Sequence, residues 1–396
     1  MAASRRRCGA TLILILALWG AGLCTGSAAE DIPAVDRYAI GSILPLSGRN
    51  AAYGHRALDA VFLAAGVFDG LKRTPIRVLI EDSQSEAAVA GAAVEKLARA
   101  GVTCILGPLG SQEAFEAAKE AQRLKIPILT LTQREGITEI GEYVFRNFLT
   151  AAMQVRTVVQ YAQAELGLRR FATLYPNTPY GQEMARLFRE EVRRKGGDLR
   201  KELSYKSDQT DLGEEIRTLG GVVPAAPGAE AAPGVPPKPS PGFEALFIPD
   251  FSHRVAMIVP QLAYHDITGL RLLGTSGWDS PELLKADHGH LQGAIFVDGF
   301  FTDSFRPEAN DFIEAFYTAY GREPDTMEAL VYDAADIAVK LLLETRGGTR
   351  DAFAKALMQV KGYRGVTGRT TFSASRDAEK DLFILTVRDG RIVQVK

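Results

Sequence analysis

The sequence has 396 residues, 46 of them Lys or Arg and 48 Asp or Glu, for a formal net charge of −2. That length exceeds what one hydrophobic core ordinarily serves, so two lobes are expected. The near balance of charge excludes the basic field of a nucleic-acid binder and the acidic block of a solvating tail.

The first segment in chain order stands apart. Arg5, Arg6 and Arg7 precede an apolar run from Thr11 to Leu23, and the small residues Ser27, Ala28 and Ala29 follow. This is the composition of a secretory signal over residues 1–29, cut before Glu30, and the run is short for a membrane span. Cys24 leaves a lipid anchor open as an alternative, although Leu23 stands where a small residue normally precedes such a cysteine. Cys8 and Cys24 both fall in that leader, so Cys104 is alone in the exported chain and can form no internal disulfide. Its setting, GVTCILGP, is that of a buried small hydrophobe.

From Tyr38 onward strand-like and helix-like patterns alternate. YAIGSILPL precedes a helical stretch over residues 53–68, and PIRVLIED precedes SEAAVAGAAVEKLARA, whose apolar residues recur at helical spacing. VTCILGP, SQEAFEAAKEAQRL, IPILTLT and YVFRNF continue the series. It restarts at RRFATLYP with GQEMARLFREEVRRKGG, DLRKELSY, FEALFIPD, LRLLGTSG and GAIFVDGFF. The alternation predicts an α/β fold of two Rossmann-like lobes, each a parallel sheet flanked by helices. Residues 220–242, rich in Pro, Ala and Gly, break the rhythm. They bury too little to offset their ordering entropy and read as a disordered insertion, since the alternation resumes beyond them.

Residues for catalysis are sparse. Five histidines are present, and DHGH (residues 287–290) lacks the further spaced ligands a metal site needs. GTSGWDS only superficially matches a nucleophile elbow, and no zinc or kinase motif occurs. No metal, cofactor or catalytic residue is therefore expected. What recurs is small polar and aromatic residues at the carboxyl ends of strands. They are Tyr53 after the first strand, Ser111 at a helix start after the third, Thr130, Thr132 and Gln133 after the fourth, and in the second series Tyr180, Asp250, Phe251, Ser276 and Trp278, with Asp279 close by. Each has a plain structural role open to it as well: a helix cap for Ser111, a core plug for Trp278. Together they describe a cleft suited to a small polar solute.

The segments GSILPLSGRNAAYG, ILGPLGSQEA, KIPILTLTQ, LYPNTPYGQEMARLFREEVRRKGG, RLLGTSGWDSPELL and GVTGRTTFSASRD, in this order, resemble the type I periplasmic solute-binding proteins of the leucine/isoleucine/valine-binding class. That resemblance implies two lobes joined by a hinge crossed three times and closing on a ligand. It puts residues 37–148 and 302–362 in lobe one, and 149–301 and 363–396 in lobe two. The insertion at 220–242 falls in lobe two. It implies a non-enzymatic periplasmic receptor that takes an amino acid or similar small polar solute and hands it to the permease of an ABC importer. Ser111 would hold the solute's carboxylate, Thr132 and Gln133 would contact it further, and Tyr53 and Tyr180 would wall it. Ser276 stands where that family places the acidic partner of an α-ammonium, a departure that Asp250 or Asp279 would have to make good. FIPDFSHRVAMIVPQLAYHD is also similar to the penicillin-binding-protein activators of the same fold, which bind a cell-wall synthase instead.

Overall fold

The computed structural model describes residues 34–68, 75–221, 240–285, 288–344 and 348–395. The expected leader (1–29), most of the Pro-rich insertion (222–239) and part of the DHGH loop lie outside the described residues.

The first half of the chain runs β1 (Asp36–Leu44), α1 (Ala51–Ala64), β2 (Arg77–Asp82), α2 (Ala87–Arg99), β3 (Val102–Leu106), α3 (Ser111–Arg123), β4 (Ile128–Thr130) and β5 (Val144–Arg146). These strands form one parallel sheet in the order β2-β1-β3-β4-β5. Residues 39–44 of β1 and all of β3 are buried, as parallel strands covered on both faces must be. Helices α2 and α3 approach closely because their inward stripes are mostly alanine: Ala90 and Ala93 with Val94 on one, Ala114, Ala117, Ala118 and Ala121 on the other.

After α4 (Ala151–Ala164) come β6 (Arg170–Pro176), α5 (Pro179–Arg194), β7 (Asp198–Tyr205), α6 (Gly213–Leu219), β8 (Ala245–Phe247), α7 (Ser252–Tyr264), β9 (Arg271–Leu273), the short α8 (His288–Leu291) and β10 (Ile295–Asp298). Their sheet runs β7-β6-β8-β9-β10, all parallel, so the second lobe repeats the strand order of the first. The two ends of the Pro-rich insertion are hydrogen-bonded, the Ser240 amide donating to the Gly220 carbonyl at 2.9 Å. The segment therefore leaves and rejoins lobe two at one point.

The chain then returns. Helices α9 (Pro307–Tyr320), α10 (Thr326–Glu344) and α11 (Arg350–Gln359) precede β11 (Tyr363–Gly365), β12 (Gly368–Phe372) and β13 (Ala378–Lys380), a small antiparallel sheet. Val331, Ala334 and Ala338 of α10 and Phe353 and Leu357 of α11 join the core around Phe145 of β5. Phe372 and Ala378 belong to the same core, Phe372 edge-on to Phe145 at 5.7 Å. Packing thus keeps residues 363–380 with the first lobe, beyond the boundary at 362 that the sequence suggested. Finally β14 (Phe383–Arg388) and β15 (Arg391–Gln394) add antiparallel strands beside β10 in lobe two. The passages between lobes lie at residues 147–150, 299–306 and 381–382, the first two leaving the carboxyl ends of β5 and β10.

A buried ion pair ties α10 to the small sheet beside the last passage. Lys380 Nζ stands 3.7 Å from Asp333 Oδ2, both side chains fully enclosed. Lys380 also donates to the Thr367 and Thr370 hydroxyls at 2.8 Å, and Asp333 accepts from the Val366 and Thr367 amides and the Thr367 hydroxyl. Removing one charge strands the other without water. Lys380→Ala is expected to cost about 3–5 kcal/mol, read as a lowered thermal midpoint. The double variant Lys380→Met/Asp333→Asn should recover much of it, and a single variant melting with the wild type would refute the assignment.

Candidate functional site

In an open α/β sheet the crevice lies outside the carboxyl ends of strands, where the strand order reverses. Here that point falls between β1 and β3 in one lobe and between β6 and β8 in the other. Two of the three passages between lobes leave strand carboxyl ends, those of β5 and β10, so each crevice lies on the edge of its sheet from which the chain crosses.

A Tyr-Gly pair opens the first helix of each lobe. A Cβ on Gly54 would collide with the Pro45 carbonyl, and one on Gly181 with the Pro176 carbonyl. Glycine therefore lets α1 and α5 press against the ends of β1 and β6. Tyr53, immediately before Gly54, is 59% exposed on the first turn of α1. Its counterpart Tyr180 is half-buried, its hydroxyl 3.2 Å from the Thr275 hydroxyl.

Asp82 at the end of β2 shapes the lobe-one rim. It accepts from the Leu46, Ser47 and Gln84 amides at 2.8–3.1 Å and from the Ser47 hydroxyl at 2.6 Å. Burial pushes its pKa up, but these hydrogen bonds outweigh burial and hold the carboxyl below its usual range. Ser111 is the exposed first residue of α3, after Gly110, which has no side chain to cap the helix. The first N–H groups of α3 are thus without a side-chain cap, while Glu113 in its first turn is buried and accepts from the Ser83 hydroxyl. Gln133 is exposed, and Thr132 is buried with its hydroxyl accepting from the Arg134 amide at 3.3 Å. Arg146 fixes this loop from below, bonding the Arg134 carbonyl and Asp377 at 2.6 Å each.

Three residues expected at the cleft are engaged elsewhere. Thr130 is fully buried and donates to the Phe145 carbonyl at 2.9 Å, closing the end of the sheet. Trp278 is fully buried in the lobe-two core against Phe296, its indole N–H donating to the Ile248 carbonyl at 3.1 Å. It fills the space over Gly274, where a Cβ would strike the indole, and forms no wall. Asp250 is 6% exposed and accepts from the Tyr205 hydroxyl and, at 2.8 Å, from the Phe251 amide. Phe251, by contrast, is 54% exposed and lies parallel to Tyr180, with centroids 5.9 Å apart. His253 continues the row at 6.4 Å from Phe251. Ser276 is half-buried in a short turn whose amide is held by Gln154 of α4 at 2.9 Å.

Sequence reasoning missed Thr275, Gln154, His253 and Asp298. Asp298 closes β10, and the rule that flagged other strand ends would have found it. Gln154 sits mid-helix, where nothing local marks it. Among the described residues no group of three or more His, Cys, Asp or Glu side chains is placed to hold a metal ion, and no helix is long and apolar enough to cross a membrane.

The family model described as periplasmic binding protein matches residues 37–391. No curated protein matches the sequence significantly. Among solved structures, a protein assigned to branched-chain amino acid ABC transport in Rhodospirillum rubrum is 23% identical, with TM-score 0.80, covering 92% of this chain and all of that one. An ABC transporter substrate-binding protein from Desulfitobacterium hafniense, complexed with Leu, is 20% identical with TM-score 0.66, covering 90% and 99%. A solute-binding protein of an ABC transporter from Rhodopseudomonas palustris BisB5, complexed with 3,4-dihydroxybenzoic acid, is 19% identical with TM-score 0.63, covering 90% and 96%. At these identities the likeness is one of fold.

Asp279 faces Asp298, which bonds the Gly299 amide and, at 3.2 Å, the Thr326 hydroxyl of α10. Burial, with Asp303 adding repulsion and the Asp298 hydrogen bond opposing, pushes Asp279 from 3.8 up to about 6. Burial and the Asp279 charge raise Asp298 too. The folded state thus keeps a proton the unfolded chain releases, so this contribution to stability is full below 3.8 and lost as pH rises through about 6. Asp279→Asn should remove that loss, gaining thermal midpoint at neutral pH and little in acid. Parallel melting curves for variant and wild type across that range would refute it.

Proposed function

The chain belongs to the periplasmic binding protein family, and on that premise we propose that it is an extracytoplasmic receptor for a small carboxylate-bearing solute, an amino acid or similar acid. It takes the solute between its lobes and presents the closed form to the permease of an ABC importer. One observation supports the reading: both sheets share the same strand-order switch point at the edge from which the chain crosses between lobes, and each rim displays residues not consumed by the fold. On lobe one these are Ser111, with the uncapped N–H groups of α3, and Gln133 and Tyr53. On lobe two they are Phe251 and the half-buried Ser276, with Tyr180 braced beside Phe251 by the core and by Thr275. The start of a helix offers donors and the positive end of its dipole, which suits a carboxylate. Closure would desolvate that contact and strengthen it. Thr132 supports the site through the backbone of its loop. The relatives' ligands, leucine in one and a dihydroxybenzoic acid in another, share only the carboxylate, the group this rim is built to take. A leader over residues 1–29 would export the chain.

A thermal-shift screen against amino acids and small organic acids tests the reading, because a solute binding only the folded state raises the midpoint with its occupancy. A flat response from a well-folded protein would defeat it and favour an outer-surface partner such as a cell-wall synthase. Ser111→Ala is expected to weaken binding of any solute so found by about tenfold, the worth of one hydrogen bond to a charged group, without moving the unliganded midpoint. An unchanged dissociation constant would remove Ser111 from the site.

A further inference from the structure

We infer that the solute is a flat aromatic carboxylate without an α-ammonium, stacked on the Tyr180–Phe251 ring platform. This rests on the receptor reading above and narrows it.

Three rings on lobe two lie nearly parallel. Tyr180 and Phe251 are tilted by 20° with centroids 5.9 Å apart, and Phe251 and His253 by 11° at 6.4 Å. Such spacing at such low tilt makes a stepped terrace whose rings are offset, leaving Phe251 54% open. The terrace is held from behind. Tyr180 is pinned at Thr275, and Gly277 is close enough that a Cβ would stand 3.2 Å from the Phe251 ring. Lobe one offers Tyr53, 59% exposed at the corresponding helix start. An exposed ring on each rim is a surface the protein's own core does not use. Parallel rings favour another flat ring in offset stacking. A cage for a quaternary ammonium needs rings at steep angles around a compact cation, which these are not.

Charge points the same way. An amino acid needs a carboxylate for its ammonium, and Asp250 and Asp279, the two the sequence offers for that role, are both engaged; Glu183, three residues past Tyr180, is paired with Arg186. Asp250 is buried under the Tyr205 hydroxyl and the Phe251 amide. Asp279 is hydrogen-bonded to Asp298. Ser276, beside the platform, brings a hydroxyl and no charge. An ammonium placed there would lose its hydration without gaining a counter-ion. An aromatic acid carries no such group and sets its carboxylate toward Ser111.

The experiment is calorimetric titration of the purified protein with benzoate, 4-hydroxybenzoate, leucine and glycine betaine. A benzoate should bind, and leucine and betaine should bind at least about tenfold more weakly. Phe251→Leu keeps an apolar side chain but removes the ring. It should lower 4-hydroxybenzoate affinity about tenfold while the thermal midpoint holds. Leucine or betaine binding more tightly than the benzoates would overturn this inference and leave the receptor reading standing. So would a Phe251→Leu variant that binds 4-hydroxybenzoate as the wild type does. No binding by any of a broad solute panel would overturn both.

Discussion

A desolvated ammonium facing a desolvated carboxylate sits where the chain makes its last passage between lobes. Neither Lys380 nor Asp333 reaches water, so the position is tolerable only because each is also hydrogen-bonded: Lys380 to two threonines, Asp333 to two amides and a hydroxyl. Geometry is thereby fixed at the junction of α10 with β11–β13. Lobe one thus ends in a firmly anchored block at residue 380, and only a short segment carries the chain on to lobe two. Arg306 straps two of the passages together, its guanidinium 3.3 Å from the Asp381 carbonyl and 4.0 Å over the Phe383 ring. If the lobes close on a solute as proposed, a stiff anchor with short free spans makes that motion a hinge rotation.

That stiffness gives the rims their meaning. Each lobe solves the same local problem in the same way: a glycine draws a helix start against the end of the first strand, and a tyrosine precedes it on the helix's first turn. On lobe one that tyrosine is open to solvent. On lobe two it is braced by Thr275 and extended by Phe251. The exposed rings of Tyr53 and Phe251 and the uncapped start of α3 are left unused by the core, while Trp278 is wholly absorbed in it.

Sequence periodicity carries the fold because parallel strands and their helices are written locally: the buried run of β1 and the alanine stripes of α2 and α3 need no long-range knowledge. It also carries the ends of strands, and with them Tyr53, Ser111, Tyr180 and Phe251. It does not carry which way a side chain turns once there. Trp278 and Phe251 both follow a strand end; only the bare Gly274 beneath the indole sends Trp278 inward. Asp250 looks like a free carboxylate until Tyr205, 45 residues earlier, is folded against it. Phe372 reads as part of a late strand, and its attachment to the first lobe depends on a contact with Phe145 more than two hundred residues away.

The hydrogen bond from Ser240 back to Gly220 has a consequence for how this molecule can be altered. With both ends of the excursion already fastened together, α6 and β8 hold their positions whatever is strung between them, at a loop-closure cost that grows only as the logarithm of its length. Lobe two therefore carries a port: a point where chain can be trimmed, lengthened or replaced by a reporter domain without entering the accounts of either sheet.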